Sequence, residues 1–231
     1  MRRKKRKDMK KFIMITPLQP VELDKETGEI TKDLLRVSVY KAVDNELLAY
    51  DRPTGFPIIP VINAYAEEGE EIRLIAVTPD TTSAMIHAGQ LQKELDALKE
   101  RKGFICSGVE VVKVTYAGDV ETQIEIFEKL MDYFEDGDSL YGCMTYGNKP
   151  MPIAEMMAIQ YAYRVLRNVT IECLVYGELD HSKPDHPMSL FDITSLIRLD
   201  EIVRVMADQK ISEPQKFLHT LLRARRGHDE G

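Results

Sequence analysis

At 231 residues, with 44% hydrophobic residues, 30% charged residues and a formal net charge of −7, the chain has the size and balance of one α/β domain with at most a small appendage. Its acidity argues against long duplex nucleic acid as a partner, because such binders carry a basic surface. No stretch approaches the roughly 18 consecutive apolar residues of a membrane span, and the cysteines and histidines lack the paired spacings of a disulfide framework, a zinc site or a metal enzyme.

Residues 1–11 form a basic run that reads as a solvated tail. The run is similar to the charged start of a secretory signal, but 12–17 is too short for the apolar part and carries no cleavage pattern, so the protein is expected in the cytoplasm. FIMIT (12–16) predicts the first central strand, ended by Pro17. Residues 18–56 interrupt the rhythm: 23–33 is polar and turn-rich, and RVSVY (36–40) and ELLAY (46–50) predict a hairpin insertion around Asp44 and Asn45. A helix follows over 58–68.

Strands and helices then alternate. Strands are predicted over 72–78, 109–115, 140–144 and 169–175, with a short one within 189–194. Helices are predicted over 81–102, with Met85, Leu91, Leu95 and Leu98 near one face, and over 120–135, with Ile124, Phe127, Leu130, Met131 and Phe134 as a stripe. Met156 and Met157 of the helix over 153–166 are assigned to the core. Two helices, 196–207 and 213–225, finish the chain. Strands separated by such helices imply a Rossmann-like, doubly wound, mostly parallel sheet. The expected division is a tail (1–11), the Rossmann-like domain with its hairpin insertion (12–209), and a C-terminal helix and tail (210–231).

In such sheets ligands sit beyond the carboxyl ends of the strands, where the strand order switches. The loops after Thr16, Thr78, Thr115 and Met144 would lie on that edge, with threonine hydroxyls ringing the crevice. The stretch 138–152, DSLYGCMTYGNKPMP, supplies the candidate site. A short apolar strand runs into Thr145, Tyr146, Gly147, Asn148, Lys149 and Pro150, and Pro152 stands in the first turn of the next helix. Strand, small polar loop and helix N-terminus together offer backbone N–H groups to an anion, and Lys149 adds a positive charge. The pattern is not a Walker loop, and no GxGxxG follows the first strand, which counts against a nucleotide-dependent oxidoreductase.

These residues resemble the second signature of the CRISPR-associated Rossmann-fold (CARF) domains of type III CRISPR systems. Thr145, Gly147, Lys149 and Pro152 fall on that loop's threonine, glycine, basic residue and proline, whereas Cys143 stands where an acid is usual. NVTIECLVYG (168–177) and FDIT (191–194) follow in matching order, and 54–65 and 74–78 fit the first helix and second strand, so the resemblance covers about 11–205. It implies a homodimeric sensor of cyclic tetra- or hexa-adenylate for antiviral defence, with the ring lying across the two-fold axis and no other cofactor. Gly147, Asn148 and Lys149 would contact phosphates, Thr16, Pro17 and Thr54 would line the cleft, and Tyr146 would flank an adenine.

The resemblance also implies an effector domain or partner protein outside this chain. The spacing of Arg223 and His228 formally matches a family ribonuclease site, but no helical domain follows it, and the run reads as a basic tail. The alternative is a metal-independent ring nuclease, in which a ribose 2′-OH attacks the adjacent phosphorus, Lys149 stabilises charge, and Thr16 or Tyr146 orients the ring. A further alternative is the cytoplasmic part of a membrane-associated CARF effector whose missing N-terminal segment preceded the basic run.

Overall fold

The computed structural model describes residues 9–179 and 187–226. Two compact units make up the chain, Met1–Ile193 and Thr194–Gly231.

The first unit holds strands β1 (Lys10–Ile15), β2 (Val21–Leu23), β3 (Ile30–Asp33), β4 (Tyr40–Ala42), β5 (Ile72–Pro79), β6 (Val109–Val114), β7 (Ser139–Cys143), β8 (Thr170–Leu179) and β9 (Met188–Asp192). Its helices are α1 (Ile58–Tyr65), α2 (Thr82–Lys102), α3 (Val120–Met131) and α4 (Pro150–Val165). Seven strands form one sheet in the order β4-β9-β8-β7-β1-β5-β6. The run from β8 to β6 is parallel, β9 is antiparallel to β8, and β4 joins the edge parallel to β9. This is the doubly wound α/β sheet that the alternation predicted.

The central strands carry continuous apolar runs because both their faces are covered: Phe12, Ile13, Met14 and Ile15 of β1 are all buried, as are Leu74, Ile75, Ala76 and Val77 of β5. Phe12 and Met14 belong to the core beneath α1 and α2, with Ile58, Ile62, Leu91 and Leu95. On the opposite face α3 and α4 pack side by side, α4 presenting the small residues Ala154, Ala158 and Ala162 inward. The chain therefore changes direction between β1 and β7, which makes their carboxyl ends the topological switch point.

Several expectations shift. The hairpin insertion is present, but it is formed by β2 and β3 within the stretch read as polar turn. The Asp24 carboxylate accepts from the N–H groups of Glu26 and Thr27, and Gly28 takes φ +71°, so the turn chemistry of 24–28 closes a hairpin. ELLAY is a single turn of 3-10 helix, Glu46–Leu48, because Asn45 caps it through the N–H of Leu47; only Tyr40 of RVSVY enters a strand, at the sheet edge. Met85, Ile124 and Met157 are exposed rather than core, the inward face of α3 being Thr122, Ile126 and Leu130.

Lys10 and Lys11 are not tail residues: both belong to β1. Lys11 is buried, its ammonium 2.7 Å from the buried Asp138 carboxylate and donating to the Tyr133 carbonyl at 2.6 Å. Asp138 in turn accepts from the N–H of Glu135 at 2.6 Å. That constellation pins the start of β1 to the corner between α3 and β7.

The second unit holds α5 (Ser195–Asp208) and α6 (Pro214–Arg226), where Ile202, Met206, Ile211, Phe217 and Leu221 line one groove. α5 thus groups with α6, whereas the sequence reading drew its line after 209.

Candidate functional site

The loop between β7 and α4 stands at the switch point, and three contacts fix its position. Thr145 Oγ1 accepts from the Gly177 N–H at 2.8 Å, tying the loop to β8. The Tyr146 hydroxyl donates to the Gly55 carbonyl at 2.6 Å, tying it to the segment before α1. Gly147 packs on the end of β1: a Cβ there would lie 3.1 Å from Met151 Cβ and 3.2 Å from two side-chain atoms of Ile15. Gly147 also has φ +98°, a conformation open to glycine and costly for other residues.

Beyond these anchors exposure rises along the loop, although the Asn148 Oδ1 is buried without a partner. Lys149 and Pro150 are exposed, and Gly147 and Asn148 are half-buried. Among the described residues, the N–H groups of Gly147, Asn148 and Lys149 carry no hydrogen bond. The helix N-terminus itself supplies little. α4 begins at Pro150, earlier than predicted, and Pro150 and Pro152 have no N–H, while the Met151 N–H is spent on the Asn148 carbonyl at 3.0 Å. The donors at this site come from the loop and from Lys149, not from the first turn of the helix.

The other candidate residues lie inside. Thr16 is fully buried, its hydroxyl directed at the Val77 carbonyl at 3.4 Å. Pro17 is buried, and its carbonyl accepts from His87 Nδ1 at 2.9 Å, while His87 Nε2 lies 3.2 Å from Asp33. Thr54 is buried and donates to Glu94 of α2, whose other oxygen accepts from the Gly55 N–H at 3.3 Å. Tyr146 is 7% exposed, so it presents no ring face to a base. Thr78 likewise spends its hydroxyl on the Ala76 carbonyl. Thr16 and Thr78 thus spend their hydroxyls on backbone carbonyls and Thr54 on Glu94, so these three do not ring the crevice with donors, whereas Thr115 is exposed. Tyr146 anchors the loop, and because Thr16 and Tyr146 are both buried, the exposed Lys149 shares no exposed surface with either.

Cys143, standing where the resemblance has an acid, is buried with its thiol 3.3 Å from Thr145 Oγ1, and burial pushes its pKa up to about 12. It is a packed thiol, without the thiolate character of a nucleophile. Two carboxyl groups under the loop escaped the sequence reading. Glu94 has its pKa raised by burial, against the opposing bonds from Thr54 and Gly55. Glu155, on the inward face of α4, is fully buried with no hydrogen-bond partner on either oxygen, and burial raises its pKa well above the ordinary value. The available signal was positional: Glu94 adjoins the Leu91, Leu95, Leu98 stripe, and Glu155 sits between alanines of the core face.

A cavity of about 820 Å³ opens along the edge strand β4, lined in part by Tyr40, Tyr50, Arg52, Asn63 and Arg101. Asn63 and Arg101 stand in the last turns of α1 and α2, where a basic side chain answers the helix dipole. Arg101 stacks on the Tyr50 ring, 5.4 Å from its centroid. Among the described residues no cluster of three or more His, Cys, Asp or Glu could hold a metal, and no helix is long and apolar enough to cross a membrane. No family model matches the chain, and no curated protein matches it.

Proposed function

We propose that the protein is a CARF-type sensor that binds cyclic oligoadenylate at the carboxyl edge of its sheet, as a homodimer with the ring across the two-fold axis. The observation that carries this reading is the loop at the switch point: an exposed Lys149 beside three N–H groups without acceptors, on a backbone that Gly147 keeps free of side chain. Phosphates are the natural acceptors for such a set, because charge-assisted bonds to anionic oxygens are the strongest that a loop can make. Type III CRISPR defence and an effector outside this chain follow from the resemblance.

Calorimetric titration with cyclic tetra- and hexa-adenylate tests it. One ring is expected to bind, and Lys149→Ala to weaken binding by roughly ten- to a hundredfold, the loss of one charge-assisted hydrogen bond, with the circular dichroism spectrum unchanged. Failure of both rings to bind, or equal affinity in the variant, would remove the reading. Linear products ending in 2′,3′-cyclic phosphate would make the protein a ring nuclease instead.

A further inference from the structure

An antiparallel ladder begins beside the edge strand β4 and stops after one residue pair. The N–H groups of Ser38 and Thr54 each donate to the other's carbonyl, at 3.1 and 2.9 Å. Continued, the ladder would set Tyr40 opposite Arg52 and Ala42 opposite Tyr50. Instead the two segments part around the cavity of about 820 Å³, and all four of those residues line it. The Val43 N–H is held by the Leu190 carbonyl, so Lys41 and Val43 turn their backbone groups to β9, while Tyr40 and Ala42 turn theirs away, into the opening. Across it, among the described residues, the N–H groups of Tyr50, Asp51 and Arg52 carry no hydrogen bond.

Both ends of this opening are firmly built. At one end Thr54 is buried and donates to Glu94. At the other, Asn45 caps the turn Glu46–Leu48, and its amide donates to Asp192 at 2.8 Å and to the Tyr65 hydroxyl at 3.0 Å. A slot closed at both ends takes a compact molecule rather than an extended peptide, and its volume lies in the range of small-molecule sites.

Charge then narrows the choice. Lys41, Arg52 and Arg101 line the cavity against Glu46 and Asp51, three cations to two carboxylates in a chain of net charge −7. Among the described residues, the side chains of Lys41 and Arg52 make no hydrogen bond or ion pair. Arg101 spends only its Nη2, on the Tyr50 hydroxyl at 3.1 Å and Asn63 Oδ1 at 3.5 Å. Free cations beside free N–H groups suit a phosphate. The Tyr50–Arg101 pair offers a flat face to a ring, and the Glu46 and Asp51 carboxylates can accept from amino and hydroxyl groups.

We infer that this cavity is a second binding site, for a nucleoside monophosphate. Its phosphate lies on Arg52, Lys41 and the N–H groups of 50–52, its ring against Tyr50 and Arg101, and its amino or hydroxyl donors on Glu46 and Asp51. None of the lining residues belongs to the β7–α4 loop, so the site does not rest on the proposed sensor function.

Calorimetric titration of the full chain with adenosine 5′-monophosphate tests it, with adenosine and inorganic phosphate as the two halves of the probe. The monophosphate is expected to bind about tenfold or more tightly than either half, because the linked halves engage both parts of the site. Arg52→Glu is expected to weaken it by about tenfold or more, the loss of one charge-assisted contact, with the circular dichroism spectrum unchanged because the side chain is exposed. In amide-resolved NMR the probe is expected to shift the resonances of Tyr40, Ala42 and residues 50–52. A monophosphate that does not bind, that binds no better than inorganic phosphate, that keeps its affinity in Arg52→Glu, or that shifts residues 145–149 instead would overturn the inference. A chain that binds the monophosphate as described but neither cyclic tetra- nor hexa-adenylate would keep this site and remove the sensor reading alone.

Discussion

Glu155 is an acid without a partner inside an α/β sheet, and its cost has a direction. Burial holds its carboxyl protonated to higher pH than in the unfolded chain. The folded state therefore binds more protons once pH exceeds the unfolded value, about 4.3 for glutamate. Stability is full below that value and falls as pH rises toward the folded one, by up to about 1.4 kcal/mol per pH unit for one such group. Glu94, also raised by burial, acts with the same sign. Glu155→Gln is expected to flatten the fall and to raise the urea midpoint at pH 8 while changing little at pH 4; a wild-type midpoint that climbs from pH 5 to 8 would contradict it. Gly147 is the complementary case, where the constraint is shape. Gly147→Ala places a Cβ against Met151 and Ile15 at φ +98° and is expected to cost about 2–3 kcal/mol, read as a lowered denaturation midpoint.

Among the elements, α4 shows how sequence directs a helix while limiting its chemistry. Prolines at its first and third positions suit the first turn, where an N–H has no partner within the helix, and so start the helix firmly. They also remove the donors that make a helix start an anion site, which moves the binding capacity onto the preceding loop. β1 carries a different device. Its lysine at position 11 is buried because Asp138 and the Tyr133 carbonyl receive it. Removing one partner leaves the other charge uncompensated, so Lys11→Ala is expected to cost about 3–5 kcal/mol. Lys10→Ala removes a partly exposed contact with Glu70 and should cost less than about 1 kcal/mol. Equal losses in the two variants, by thermal melts, would show that the buried pair is not the tie described above.

For the whole molecule, the strand order sets the loops after β1 and β7 side by side, and the proposed homodimer would place two such pairs around one axis. Association stabilises the folded form by mass action, so the melting temperature of the wild-type protein is expected to rise with protein concentration. A flat wild-type series by calorimetry would argue against association.

By itself the sequence determined the architecture. Apolar runs such as FIMIT and IRLIAV can be buried on both faces only in the middle of a covered sheet, and helical repeats between them force right-handed crossovers. It also determined the position of the candidate loop, because glycine, lysine and the two prolines leave a strand-to-helix turn few alternatives. The tertiary structure alone decided which side chains face that loop's surface. Thr16, Pro17, Thr54 and Tyr146 belong to segments far apart in sequence, and their surroundings follow from what folds over them: His87 and Glu94 from α2, Gly55 from the approach to α1. Periodicity reports which way a side chain points along its own element. It does not report whether another element arrives to cover it, which is why Met157 reads as core yet is exposed, and why Lys11 reads as tail yet lies buried.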